Sequence, residues 1–318
     1  MTWSVDSNSH LIRSNVWSAQ IKEVLEDELF AMQWIDWITD FTDGTTLNIP
    51  SIGQAEVSNY AEGQAVTYTG MDTGNFTFTI SDYKASATYI TNMMKQDSFY
   101  MDRLVSSFVP KQHRALMKVM EAAVLAVGPD GQTASDNNTI NSAEHRIVAG
   151  GTSEIMEVED FAKALYALET SNVPATNLVA IVDPSVEYTL NTLSNITNVS
   201  NNPRWEGIVT TGHSTGMRFM NNIFGFDVYV SQNLKTVNET ISGNGGGTTA
   251  SGKANLFFSA APDVVPFVGS LRQPPKVDSE YNKDLQRDEY VTTSRYGFKL
   301  FRPENLVTVL SDTDQVYA

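Results

Sequence analysis

Residues 212–216 read GHSTG, the Gly-x-Ser-x-Gly pattern that in many hydrolases lifts a serine hydroxyl into reach of a histidine base. That chemistry needs an apolar strand before the serine, a helix after it, and, in the fold where the pattern is at home, an acid and then a histidine further along. The histidines are His10, His113, His145 and His213, so none follows the motif. His113 falls on a predicted helix and His145 in a polar loop, and either could serve only in another triad order. GHSTG therefore reads as a turn between strands, with a serine hydrolase using Ser214 as the remote alternative. A second motif, GTTASGKA at 247–254, resembles a phosphate-binding loop but places Ala254 where a magnesium-holding hydroxyl belongs. A polar run precedes it and a strand pattern, ANLFF, follows, the reverse of the strand-then-helix setting that cradles phosphate. It reads as a flexible loop.

Metal chemistry has no better footing. No two histidines stand at ligand spacing, there is no cysteine, and the carboxylates are scattered along predicted helix surfaces. The run EVED at 157–160 suits a helix N-terminus, where acidic side chains complement the exposed N–H groups. The sequence thus assigns no catalytic, cofactor-binding or metal residue, and the chain reads as a non-enzyme.

The 318 residues, 41% of them hydrophobic, suffice for one large core or two modest ones. Lys plus Arg number 21 against 37 Asp plus Glu, and a net charge of -16 repels nucleic-acid phosphates. Sequence-specific DNA binding is disfavoured. The longest apolar run, AAVLAV at 122–127, is far short of a membrane span, and MTWSVDSNSH has no basic start leading into an apolar stretch. The expectation is a soluble, non-exported protein kept in a cytoplasm until released.

The elements that could position anything begin with an N-terminal segment holding four of the five tryptophans, Trp3, Trp17, Trp34 and Trp37. Ile21, Val24, Leu25, Leu29, Met32 and Ile35 recur at helical spacing, predicting an amphipathic helix over 18–38. Its polar face is acidic, so it suits a protein surface rather than an anionic membrane. From 45 to 92 the texture becomes strand-like: in NFTFTIS, Phe76, Phe78 and Ile80 alternate with Asn75, Thr77 and Thr79. Between the strands, YAEGQAVTYTGMDTG has little with which to build a core. An isolated two-stranded ribbon is marginal in water, so this one needs a partner surface.

Residues 97–128 form the longest predicted helix, with Leu116, Val119, Met120, Ala123 and Val127 as its stripe, a kink or break at Pro110, and Gly128 with Pro129 as its end. A turn-rich polar loop follows to 151. Then come a helix with Val158, Phe161, Ala162, Leu165 and Leu168 on one face, a strand LVAIV at 178–182, and a helix begun by Asp183 as cap and Pro184 in its first turn. IFGFDVYVS, a Gly-rich linker at 242–252, ANLFFSA and VVPFVG continue a layered α/β lobe. Tyr290, Thr292, Ser294, Tyr296, Phe298 and Leu300 alternate, Pro303 interrupts, and Leu306, Val307, Val309 and Leu310 close the chain as a second strand.

This order of parts resembles the major capsid protein of tailed bacteriophages, the Hong Kong 97 type of fold. The pieces that carry the resemblance are TTLNIPSIGQAEVSNYAEGQAVTYTGMDTGNFTFTISDYKASATYIT as the extended loop and 97–127 as the spine helix, then NLVAIVDPSVEYTL with GFDVYVSQNL for the axial domain and YGFKLFRPENLVTVL for the closing strands. The resemblance implies an α+β fold divided into an N-terminal arm (1–44), an extended β-hairpin loop (45–92), a peripheral domain with the spine helix (93–153), an axial domain (154–275) and closing strands of the peripheral domain with the C-terminus (276–318).

It further implies self-assembly into hexamers and pentamers of an icosahedral virion shell that encloses double-stranded DNA without reading its sequence, built in the host cytoplasm and with no membrane. Implied partners are a portal, a decoration protein and, because the chain starts directly at its arm, a separate scaffolding protein. Trp17, Trp34, Trp37, Tyr60, Tyr68 and Met71 are the candidate contacts between subunits, aromatic side chains being favoured interface anchors. Some relatives weld subunits through a lysine of the extended loop; residues 45–83 contain none, and Lys84 stands at the loop's base. The alternative within the fold is an encapsulin-like shell around a cargo enzyme.

Overall fold

The computed structural model describes residues 29–39, 44–52, 59, 61–65, 73–97, 101–192, 222–243 and 246–312. In chain order these form β1 (Ile35–Trp37), β2 (Thr46–Ile52), β3 (Thr73–Thr79), β4 (Asp82–Thr91), α1 (Asn92–Asp97) and α2 (Met101–Gly131). Then come β5 (Thr139–Ile140), β6 (Ala143–Glu144), β7 (Arg146–Val148), α3 (Val158–Thr170), β8 (Leu178–Val182) and α4 (Pro184–Thr192). The chain closes with β9 (Asn222–Ile223), β10 (Phe226–Val230), β11 (Thr236–Gly243), β12 (Gly246–Ser259), β13 (Phe267–Asn282), β14 (Arg287–Leu300) and β15 (Val307–Asp312).

The strand LVAIV is apolar at every position because both of its faces are covered. As β8 it lies inside a seven-stranded mixed sheet ordered β7-β15-β12-β8-β10-β9, with β11 paired to β12. Leu178, Ala180 and Val182 face α3 and α4, packing with Phe161, Leu168 and Leu190. Val179 and Ile181 face the other way, against Val124 and Leu125 of α2. Asp183 then caps α4 as expected, its carboxylate accepting the Ser185 N–H at 3.0 Å and hydroxyl at 2.7 Å. Glu157 and Asp160 form a reciprocal cap on α3, which accounts for EVED. The expected face of α3 holds for Phe161 and Leu168, while Ala164 and Ala167, not Ala162 and Leu165, complete the fully buried stripe.

A second sheet, ordered β1-β13-β14-β4, lies beside the first and is spanned by α2. The helix is unbroken at Pro110 and runs past Gly128 and Pro129 to Gly131. Pro110 is exposed, so water can satisfy the carbonyl that the proline leaves without a donor one turn earlier. Gln112, Leu116, Met120, Val124 and Leu125 are buried, but Val119 is 44% exposed, one position off the true stripe. The expected amphipathic helix over 18–38 does not extend through its C-terminal part: Ala31–Trp34 is a single 3-10 turn and Ile35–Trp37 a strand parallel to β13. Glu121, fully buried on α2, caps the start of that 3-10 turn by accepting the N–H groups of Phe30 and Ala31 at 3.0–3.1 Å. Burial raises its pKa, and those backbone bonds oppose the rise.

Two further expectations change. The Gly-rich stretch at 247–252 is not a flexible loop but the first half of β12, paired residue for residue with β11. Gly252 is required there: a Cβ would stand 2.1 Å from the Ser311 carbonyl oxygen of β15. Pro303 does separate two strands, yet β15 leaves the four-stranded sheet for the seven-stranded one, pairing with β12 and β7. β13, whose first residues fall within 154–275, belongs to the four-stranded sheet, as does β4 from within 45–92.

Candidate assembly surfaces

β2 and β3 pair from Thr46↔Thr79 to Ile52↔Thr73, so the predicted ribbon exists, and its root has a small core of its own. Phe78 is fully buried with Ile80 and Val268, and Phe76 stacks edge-on to Phe301 at 4.8 Å. The alternation read from NFTFTIS holds: Asn75, Thr77 and Thr79 are exposed. Lys299 fixes the root by donating to the Thr77 carbonyl at 2.8 Å and lying over the Phe76 ring. Residues 59 and 61–65 are exposed throughout.

α2 covers one face of the four-stranded sheet, and the ribbon root covers the other face at Val268 and Gly297, leaving the outer face along β4 exposed. Ser86, Thr88 and Ile90 turn toward α2 together with their partners Thr292, Tyr290 and Asp288. The opposite face presents Tyr83, Ala85, Ala87 and Tyr89, with Val291, Thr293 and Arg295 beside them. Tyr83 is 60% and Tyr89 58% exposed. Where the sheet meets the C-terminal half of α2, a cleft of about 370 Å³ opens, lined chiefly by Ala123, Val127, Phe298 and Leu300. Tyr296 beneath it is fully buried, and burial, with the charge of Asp82, pushes its hydroxyl up to about 12.

Of the candidate contacts, Trp17, Tyr60, Tyr68 and Met71 lie outside the described residues, as do Ser214 and the whole of GHSTG. Trp34 is buried within its own subunit, edge-on to Phe30, Tyr229 and Phe258, and so has little ring left for a neighbour. Trp37 is 38% exposed, its ring edge-on to Phe298. The sequence reading passed over Tyr83 and Tyr89. The readable signal was their odd-numbered alternation with Ser86, Thr88 and Ile90 along one strand.

The buried polar groups build structure rather than chemistry. Both nitrogens of His145 are engaged, with the Ala143 carbonyl at 3.0 Å on one side, and the Ser171 hydroxyl at 3.1 Å and Glu304 carbonyl at 3.2 Å on the other. Burial lowers its pKa, which favours the neutral ring. Arg146 is buried between the Pro129 carbonyl and Glu239, its guanidinium 2.5 Å from that carboxylate. Lys253, the lysine of GTTASGKA, donates to Leu234 and Thr236. Among the described residues no group of His, Asp and Glu is placed to hold a metal ion, and no helix is long and apolar enough to cross a membrane.

The architecture has close counterparts. Over 93% of its length the chain superposes on 96% of a Mycobacterium phage Che8 chain with a TM-score of 0.68 at 15% identity. A capsid chain of the cyanophage P-SCSP1u gives 0.68 at 16% identity, covering 93% of this chain and 92% of that one. The capsid of a native GTA particle gives 0.66 at 11% identity, with 98% and 99% covered. At such identities the likeness establishes the fold, the Hong Kong 97 type. No curated sequence matches. The family model described as phage capsid protein aligns with residues 75–309, from the second strand of the ribbon to β15, and the chain belongs to that family.

Proposed function

We propose that many copies of this subunit form the hexamers and pentamers of an icosahedral shell around the double-stranded DNA genome of a tailed phage. The observation that carries the reading is the contrast between the ribbon's anchored root and residues 59 and 61–65 further along it, which are exposed. Such a ribbon gains stability when it lies on a neighbour, and the bare face of the four-stranded sheet is a surface of suitable chemistry. Trp37, with Trp17, Tyr60, Tyr68 and Met71, remains a candidate contact between copies; Trp34 is the weakest of the six because its own core occupies it.

The net charge of -16 favours an enclosing wall to which packaged DNA does not adhere. A scaffolding protein, a portal and a decoration protein are the proposed partners, with assembly in the host cytoplasm. The roles of arm (1–44), extended loop (45–92), peripheral unit (93–153 and 276–318) and axial unit (154–275) are retained, with β15 also serving the axial sheet. The chain acts as a structural protein, without covalent cross-linking through its extended loop. The test is assembly of the purified chain, alone and with its scaffold, followed by sedimentation and electron microscopy. Closed particles are expected; a compact monomer under both conditions would end the proposal. An encapsulin-like shell would instead purify with a protein cargo and without genomic DNA.

A further inference from the structure

One stripe of α2 changes character along its length. Toward its C-terminal half, Glu121 accepts the N–H groups of Phe30 and Ala31, and Ala31 and Trp34 pack with Val124 and Leu125. Counting back from Glu121 by three and four, the same face continues through Lys118, Arg114 and Lys111, with Ala115 and Val119 at its border. Ala115, Lys118 and Val119 are exposed, Val119 by 44%. No Asp or Glu occurs from 103 to 120, so this half of the helix is a cationic surface in a chain whose net charge is -16.

The segment that leads into Phe30 has the complementary pattern. Ile21, Val24, Leu25 and Glu28 recur at helical spacing, and Glu23, Glu26 and Asp27 stand with Glu28 against the one Lys22. We infer that residues 18–28 lie as a helix along this stripe of α2, in their own subunit. Register and tether select the occupant. Ala31 meets Glu121 at an offset of 90 in the chain. Two parallel helices rise alike, ~1.5 Å per residue, so the same offset sets Glu28 against Lys118, Val24 and Leu25 against Arg114 and Ala115, and Ile21 against Lys111. Lysine and arginine stems cover apolar neighbours while their charged ends meet carboxylates. A helix shorter than ~12–15 residues is marginal alone in water, so this one takes its stability from the surface it covers. Because the chain is already held at Phe30 and Ala31, the docking is intramolecular and outcompetes the arm of another copy. The inference goes beyond the shell reading and concerns the free subunit, so the two fail separately. Held there, Ile21, Val24 and Leu25 are covered before one subunit meets another.

Zero-length cross-linking of the full chain tests it. A carbodiimide joins a carboxylate to a lysine amine as an amide, the water lost being taken up by the reagent as a urea. Equal amounts of subunit with natural and with heavy nitrogen are mixed, kept as monomers by sedimentation, cross-linked and digested. Links from Asp27 or Glu28 to Lys118 are expected, always between peptides of the same isotope. Absence of any link from residues 23–28 to Lys111 or Lys118 would overturn the docking, and links of mixed isotope would overturn it in favour of a second copy's arm. Hydrogen exchange supplies an independent readout. Amides 19–28 are expected to exchange about tenfold or more slowly than in the isolated peptide of that sequence. Lys118→Glu should speed them about threefold, the size of one surface charge pair, and adding Glu28→Lys should restore the wild-type rate. Exchange at the peptide's rate, or a rate indifferent to Lys118→Glu, would refute the contact.

Discussion

The two sheets of this subunit solve different problems. The central strands of the seven-stranded sheet are packed with apolar side chains on both faces, between α2 on one side and α3 with α4 on the other. The four-stranded sheet meets the same helix through a partly polar seam. Thr292 bonds Gln112 at 3.3 Å, Ser294 bonds the Gln273 carbonyl at 3.0 Å, and the Gln112 amide nitrogen has no partner among the described residues. Along β4 its outer face carries exposed side chains, Tyr83, Ala85, Ala87 and Tyr89. A sheet that is unfinished alone, built on a helix shared with one that is finished, lets a subunit fold first and associate afterwards.

The sharpest way to break the contrast is to damage the finished sheet. Phe257 is fully buried, edge-on to Phe161 at 5.0 Å and to Phe226 at 5.3 Å. Phe257→Ala should cost about 3–5 kcal/mol, removing three-ring packing that cannot close around the void. Thermal denaturation of the subunit would register this as a large fall in midpoint before any assembly is attempted. Gly252→Ala comes next. Its Cβ would force β12 away from β15, for which overpacking suggests roughly 1–3 kcal/mol, and differential scanning calorimetry gives the value. An unaltered midpoint would mean that this stretch pairs less closely than the register indicates.

His145 supplies a smaller, pH-dependent effect in the finished half. Its folded pKa lies below 6.5 because the ring is buried, so below that value the unfolded chain binds the proton more readily than the folded one. The contribution is fully present above pH ~6.5 and is lost as pH falls through the folded value, by at most about 1.4 kcal/mol per pH unit. Chemical denaturation from pH 7.5 down to 5 should show a stability loss that His145→Gln removes.

Period and punctuation explain which parts could be read in advance. LVAIV, the Asp183–Pro184 start, EVED and the alternations at 75–80 and 290–300 each satisfy a local rule that the tertiary structure obeys. Where the expectation failed, a distant group decided. Glu121, some 90 residues along the chain, caps a 3-10 turn where the local pattern is helical. β11 turns a glycine-rich run into a strand by pairing with it, and glycine is tolerated because β15 passes too close for a side chain. Interface residues are harder still. Trp34 and Trp37 stand only three positions apart, yet Tyr229 and Phe258 close over the first and leave the second partly exposed. For surface tyrosines such as Tyr83 and Tyr89 the alternation along the strand gives their shared face, and only the tertiary structure shows that this face is the exposed one.

The smallest effect on folding should accompany the largest on association. Ala87 lies near the middle of the bare face, opposite Val291, and is exposed. Ala87→Glu places a carboxylate in open solvent in the isolated subunit, so stability should change by no more than about 0.5 kcal/mol. If a neighbouring ribbon lies across this face, that same carboxylate becomes desolvated without a partner, in a chain already carrying a charge of -16. Sedimentation should then find folded monomers where the wild-type chain forms particles. Particles of normal size from Ala87→Glu would mean that the outer face is solvent-facing in the shell and that the ribbon finds its support elsewhere. A loss of folding would mean that the face is already occupied within the subunit. Only the separation of the two readouts, intact folding with failed association, fits a sheet whose second layer is another molecule.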